Sequence, residues 1–284
     1  VKETLRSLGK GSSHGCNSWT FALIRSIAHN DADHRYAWTQ LITAFLNRML
    51  HGELRSSWWT PCRAVLIPKE GTDSYRPLGI GDVWYRLLGR AVMKASGDLI
   101  GSKLLPMQLG VGVKSGCEIG GRLAQVILNS SKDVALINLD LKNAFNTIPR
   151  ALVWKGIVRF APQLAWWFLW AYGDITELRL SNGVVVCHSE TGTRQGDPLA
   201  ALAFCLGLQL VLLDLRQELQ DMCIQRQNEL RTDGDPLTNL SVDTKVGIVA
   251  YMDDCTIYVP RQLVRETEQI IQEIFETQYS LVLS

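Results

Sequence analysis

Three aspartates stand out by their neighbours. Asp140 ends a nearly continuous apolar run, 134–139, and Asp253 and Asp254 lie between two more, 246–250 and 256–259. A buried strand that ends in a carboxylate delivers that group rigidly to one point. Two adjacent acids exposed at such a tip are useful mainly when something cationic binds them. Mg2+ is a hard ion that takes oxygen ligands, so two or three carboxylates from rigid elements suit it. Two such ions ~3.5–4 Å apart stabilise both the attacking and the leaving oxygen of an in-line phosphoryl transfer. Asp140, Asp253 and Asp254 would meet the need of such a transfer, for instance one in which a 3′ hydroxyl attacks the α-phosphorus of a nucleotide and pyrophosphate leaves. Lys69 and Arg76 flank the turn Lys69-Glu70-Gly71-Thr72-Asp73-Ser74. On paired strands both cations could face one triphosphate, Arg as a fork and Lys as a point charge.

The elements that must hold these groups follow from periodicity. Helical spacing covers 19–29 and 36–50. A strand at 62–67 turns after Pro68 and returns over 76–80. Asp82 is the expected N-cap of a long helix over 82–105, with Pro106 beyond its end. A strand over 134–139 precedes a helix after Pro149. Asn182-Gly183 joins two short strands as a hairpin. An apolar helix runs from 198 to about 220, and the polar stretch 222–244 reads as a surface insertion. Two strands then meet at Tyr251-Met252-Asp253-Asp254, followed by an amphipathic helix over 262–276 and an incipient strand at 280–283. With the hairpin set aside as an insertion, the order from residue 134 is a ferredoxin-like split β-α-β. Such a sheet brings Asp140 beside a tip 113 residues further on.

Composition narrows the class. The 284 residues suffice for two subdomains, and 46% hydrophobic with 20% charged residues fits a packed globular chain. No apolar run of ~18 residues predicts a membrane span, and no leader pattern stands at the start. The first residue is Val1, which suggests a piece of a longer chain. Seven cysteines, none at C-x-x-C spacing, read as free thiols in a reducing compartment. Net charge is only +1, but residues 52–122 hold ten Lys/Arg against six Asp/Glu, and residues 200–284 hold six against thirteen. A basic front half suits phosphate and an acidic back half suits metal.

Tyr251-Met252-Asp253-Asp254 resembles the catalytic hairpin of reverse transcriptases residue for residue. Leu139-Asp140-Leu141-Lys142-Asn143-Ala144-Phe145-Asn146 is similar to their first catalytic motif. Thr193-Arg194-Gln195-Gly196-Asp197-Pro198-Leu199 is similar to the motif between them, in the form seen in non-LTR elements, group II introns and retrons. The three occur in the family's order. The run Ala-Phe-Asn-Thr-Ile-Pro after Asn143 makes the likeness closest to non-LTR retrotransposons.

The resemblance implies an α+β, right-hand polymerase: a fingers subdomain over 1–133 and a palm over 134–284, the palm cut short and the thumb absent. It implies an RNA-directed DNA polymerase, a nucleotidyltransferase that extends a DNA primer on an RNA template with dNTPs. Carried over residue by residue, Asp140 and Asp253 are the principal ligands of two Mg2+ ions (Mn2+ being a possible substitute), with Asp254 in support. The backbone carbonyl of Leu141 completes one metal shell. Phe145 is a steric gate against a ribose 2′ hydroxyl, and Gln195 and Gly196 line the incoming base and sugar. Lys69 and Arg76 match cations that meet the triphosphate. The parent polyprotein is expected to add the thumb and an endonuclease, and to act inside the cell, in the nucleus if its source is eukaryotic.

The segment Ser12 to Thr20 departs from the family's early motif, commonly Ala-Pro-Gly-x-Asp-Gly: His14, Asn17 and Ser18 replace Pro, Asp and Gly. Within the same chemistry the alternative is a group II intron or retron-type enzyme. An RNA-dependent RNA polymerase is disfavoured by Phe145. A non-catalytic, domesticated fold that binds RNA is disfavoured by retention of all three aspartates, Lys69 and Arg76.

Overall fold

The apolar runs fold as strands of two separate sheets, and the periodic segments as helices that link and cover them. The computed structural model describes residues 1–9, 11–29, 35–54, 59–68, 71, 73, 75–230 and 246–284. Helices α1 (Lys2–Arg6), α2 (Phe21–His29) and α3 (Arg35–Leu50) precede the hairpin of β1 (Cys62–Pro68) and β2 (Tyr75–Ile80). Then come α4 (Val83–Ser102), α5 (Gly116–Ser130) and β3 (Val134–Leu139). The one-turn α6 (Ala144–Thr147), α7 (Arg150–Phe160) and α8 (Ala165–Tyr172) lead to β4 (Thr176–Arg179) and β5 (Val185–Ser189). The long α9 (Ala200–Leu230) is followed by β6 (Gly247–Tyr251), β7 (Asp254–Pro260) and α10 (Val264–Gln272), which runs on into a π-helical turn, Glu273–Gln278.

The first sheet has the order β2-β1-β4-β5 and the second β3-β7-β6. In the second sheet Leu283 bridges to Leu141 just beyond β3, so the end of the chain lies on the outer side of β3. The hairpin of β4 and β5 was expected to stand apart. Instead β4 pairs in parallel with β1, Cys62 opposite Leu178 and Arg63 opposite Arg179. Non-local pairing of this kind leaves no trace in local periodicity, so the hairpin read as an insertion.

Alternation along β7 decides which face is buried. Cys255, Ile257 and Val259 are fully covered, and β6 adds Ile248 and Ala250. The helices α9 and α10 pack on this sheet, while α5 lies along β3 and β6. Leu202, Phe204, Leu206, Leu208, Val211, Leu212, Leu215 and Leu219 of α9 are all buried. A helix apolar on every side belongs in a core or a membrane. By length and composition α9 could cross a bilayer, but 67% of its apolar stretch is already buried inside the protein. The polar residues from 222 to Leu230 continue this helix, so that part of the expected surface insertion is corrected. Residues 231–244 lie outside the described residues. Helices α5 and α8 were not anticipated.

Asp82 caps α4 as expected, accepting the Trp84 N–H at 2.7 Å. Burial raises its pKa, opposed by hydrogen bonds from the first backbone amides of the helix and from the Asn17 side chain. Asn17 donates its amide to the second Asp82 oxygen. An Asp at position 17 would instead set two carboxylates against each other. The neighbouring Ser18 adopts φ 61°, the conformation that a glycine takes most easily.

Helices α7 and α9 cross at two glycines. A Cβ on Gly156 would come 2.1 Å from the carbonyl oxygen of Leu206 and 2.8 Å from the Gly207 nitrogen. These are backbone atoms and cannot swing aside, so Gly156→Ala must push the helices apart. Overpacking of this kind costs about 1–3 kcal/mol. Gly121, on the exposed side of α5, has nothing within 4 Å of the same position. There Gly→Ala should gain about 0.5–1 kcal/mol. Thermal or urea unfolding of the two variants checks the contrast: Gly156→Ala is expected to unfold earlier than the parent and Gly121→Ala slightly later.

Candidate active site

The register of the second sheet brings the aspartates together. β3 and β7 pair antiparallel from Val134 opposite Pro260 to Leu139 opposite Cys255. One step further, Asp140 falls opposite Asp254. β6 and β7 close at Tyr251 opposite Asp254, leaving Met252 and Asp253 as a two-residue tip. Met252 takes φ 58° there, a left-handed conformation that only glycine adopts freely. Asp140 is tied from its other side by the end of the chain: Ser284 donates its N–H to the Asp140 carbonyl at 3.0 Å and its hydroxyl to the carboxylate at 2.7 Å.

The electrostatics of Asp253 record the convergence. Burial raises its pKa most; the charges of Asp254 and Asp140 raise it further, and Arg76 lowers it. The charges of two acids and one of the two predicted cations thus reach Asp253, that of Arg76 from 177 residues earlier in the chain. Among the described residues no three acidic, imidazole or thiol groups close on a single point to hold an ion by themselves. The donors present at this sheet end, carboxylate oxygens with a backbone carbonyl beside them, are the type a hard ion such as Mg2+ takes. The Leu141 carbonyl accepts only a 3.3 Å hydrogen bond from Ala144, so it retains acceptor capacity. Lys69 lies outside the described residues.

Asn143, at φ 52°, turns the chain sharply after β3 and launches α6, which carries Phe145. Asn tolerates this conformation better than most residues. The Phe145 ring stacks on Phe204 of α9, centroids 4.6 Å apart at 28°. The Phe145 carbonyl accepts the Thr193 N–H at 2.6 Å, which joins α6 to the loop 191–199. From that loop the Gln195 carbonyl accepts the Gly79 N–H at 2.8 Å, on the strand that bears Arg76. Gly196 sits at φ 100°, and a Cβ there would meet the Gly79 carbonyl at 2.5 Å. Phe145, Gln195 and Gly196 are therefore assembled between the two sheets.

What fixes the loop was not foreseen from the sequence. Arg194 and Asp197 are buried side by side, 3.6 Å between Nη2 and Oδ2. Tyr172 donates its hydroxyl to Asp197 at 2.6 Å, and Tyr85 donates to the same oxygen. The other Asp197 oxygen accepts the Leu199 N–H at 2.8 Å, at the start of α9. Arg194 also donates to Thr176 at 2.9 Å, and its guanidinium lies 4.4 Å from the Tyr172 ring centre. Burial, then the Asp197 charge, pushes both phenols well above their ordinary pKa, so they remain donors. An Asp directly before Pro198 and an apolar helix is an N-cap signal, and it could have flagged Asp197. Nothing local points to Tyr85 or Tyr172.

Comparison with known proteins now has a geometry to attach to. The family described as reverse transcriptase (RNA-dependent DNA polymerase) matches residues 67–281, well over half of the chain. The match spans Arg76, all three aspartates, Phe145 and the loop 191–199. No curated protein matches the chain. With that match over well more than half of its length, the chain belongs to the reverse transcriptase family: it is an RNA-directed DNA polymerase, a nucleotidyltransferase.

Proposed function

We propose that the chain forms the fingers and palm of a retrotransposon reverse transcriptase of the non-LTR type, working by a two-Mg2+ mechanism. The first sheet with α1–α4 is the fingers, joined by the β4–β5 hairpin. The second sheet is the palm, its split β-α-β order matching a ferredoxin-like layout. The observation that carries the reading is the strand register that sets Asp140 across from Asp254, beside the tip that bears Asp253.

Asp140 and Asp253 hold the metals, with Asp254 and the Leu141 carbonyl in support. When bound, the two ions stabilise the charge that develops on the attacking 3′ oxygen and the leaving pyrophosphate. Arg76 bears on the triphosphate as a fork, and Lys69 is the second cation of that pair. Phe145 occupies the space that a 2′ hydroxyl needs. Its ring is backed by that of Phe204. Gln195 and Gly196 line the base and sugar, and the glycine permits close backbone approach. The RNA template and DNA primer are gripped through their phosphates, with the remaining polyprotein, thumb and endonuclease, as covalent partners.

Primer extension on RNA tests the metal assignment. Asp140→Asn and Asp253→Asn in the full-length protein should each lower kcat by about 10³-fold or more while primed-template affinity holds. Extension close to the parental rate by either variant would refute the assignment. Competition between rNTP and dNTP tests the gate: Phe145→Val should raise ribonucleotide use by orders of magnitude, because a clash discriminates by repulsion alone. An unchanged ratio in a variant that still uses dNTPs would make Phe145 a core residue. Arg76→Ala should raise the KM for dNTP and lower kcat, a loss of about 1.5–3 kcal/mol. Weaker template binding with normal dNTP kinetics would put Arg76 on the nucleic-acid backbone instead.

A further inference from the structure

The tip that carries Asp253 has a backbone problem. Met252 sits at φ 58°, where a Cβ is strained. Its N–H and C=O lie past the last pair of β6 and β7, so neither has a ladder partner. Both are nonetheless satisfied, by one side chain from 144 residues earlier. Gln108 donates its amide Nε2–H to the Met252 carbonyl at 3.0 Å. Its Oε1 accepts the Met252 N–H at 2.8 Å. The same oxygen accepts the Gly110 N–H at 2.9 Å. Gln108 is wholly buried.

The surrounding segment is built for this contact. Leu109 donates its N–H to the Ala250 carbonyl at 2.7 Å, and Ala250 donates to the Met107 carbonyl at 2.7 Å. Residues 107–109 thus lie along the free edge of β6, with Gln108 in a parallel bridge to Ala250. Where the edge pairing ends, the Gln108 amide replaces a neighbouring strand and pairs with residue 252. Gly110 is required by the same fit: a Cβ there would meet the Met252 nitrogen at 2.6 Å and Oε1 of Gln108 at 2.9 Å.

We infer that Gln108 is a positioning residue for the metal-binding tip: its amide holds Met252 in the left-handed turn that aims Asp253 at the metals. The inference rests on the proposed role of Asp253. Gln108 itself touches no reacting atom. Without it, the N–H and C=O of the half-buried Met252 lose their partners, and the strained residue can relax toward negative φ. The tip then rotates, and Asp253 leaves the spacing that two ions require. Misplacement of about 1 Å at a reacting centre can cost on the order of 10²-fold in rate.

The test uses the full-length protein. Gln108→Met keeps length and removes both hydrogen bonds; Gln108→Asn keeps polarity but shortens the reach, and serves if the first variant does not fold. A folded variant should bind primed template normally, lose kcat on the order of 10²-fold, and need several-fold more Mg2+ for half-maximal rate. Met252→Gly removes the strain at φ 58°, so in that background the Gln108 substitution should cost far less. Parental kcat and Mg2+ dependence in both variants would overturn the inference. So would lost kcat with an unaltered Mg2+ profile and no rescue by Met252→Gly, which would mark Gln108 as a scaffold residue only. Asp253→Asn run alongside separates the two ideas: if it keeps its activity the role of Asp253 fails, whereas an inactive Asp253→Asn beside a normal Gln108→Met fails only the positioning.

Discussion

Like charges must be held together before any cation arrives, and the rest of the fold answers to that constraint. Asp140, Asp253 and Asp254 meet at one sheet end, and the pKa of Asp253 is raised by burial first and then by the charges of Asp254 and Asp140. Arg76, on the other sheet, lowers it. The repulsion is sustained because each acid is fixed by backbone. Asp140 sits between β7 on one side and the end of the chain on the other. Asp253 rides on a hairpin whose outer edge is itself hydrogen-bonded. The strands beneath bury Ile257, Val259 and Ala250 in the core they share with α9 and α10. A register slip of one residue would turn these side chains outward, so the core and the carboxylate spacing are set together.

The second demand is that groups from two sheets share one reference frame. The loop 191–199 supplies it. Its buried Arg194–Asp197 pair, satisfied by Tyr85 of α4, Tyr172 of α8 and Thr176 of β4, ties three elements to the start of α9. A buried pair of this kind adds little net stability but is costly to break from one side. Its value here is geometric. Gln195 reaches β2 and Thr193 reaches Phe145 from the same rigid turn, so the Phe145 ring and strand β2 keep a fixed relation.

Much of this was legible in the sequence, and what was not has physical reasons. The strand before Asp140, the tip at Asp253 and the cap at Asp82 follow from runs and caps that act within a few residues. Helix α8 is Ala165-Trp166-Trp167-Phe168-Leu169-Trp170-Ala171-Tyr172, apolar almost throughout, so it has no polar face to reveal its period. Helix α5 carries Gly116, Gly120 and Gly121, residues of low helix propensity, and the first of them is a close approach to the Leu109 carbonyl. The pairing of β4 with β1, the tyrosines on Asp197 and the amide of Gln108 on Met252 all join residues far apart in the chain. Local pattern cannot register such contacts. The three aspartates were readable because their chemistry is unusual at a strand end; the residues that aim them look like ordinary core.

The central claim, that the fold stores carboxylate repulsion for divalent cations to relieve, is tested most directly by stability without catalysis. The midpoint of thermal unfolding would be compared for the parent and Asp253→Asn, each in Mg2+-free buffer and at saturating Mg2+ with ionic strength matched by KCl. Neutralising one acid should remove repulsion, so the variant is expected to unfold at a higher temperature than the parent without Mg2+. Mg2+ should raise the parent's midpoint and leave the variant's nearly unmoved. A variant less stable than the parent in Mg2+-free buffer, with equal Mg2+ shifts in both proteins, would contradict the account.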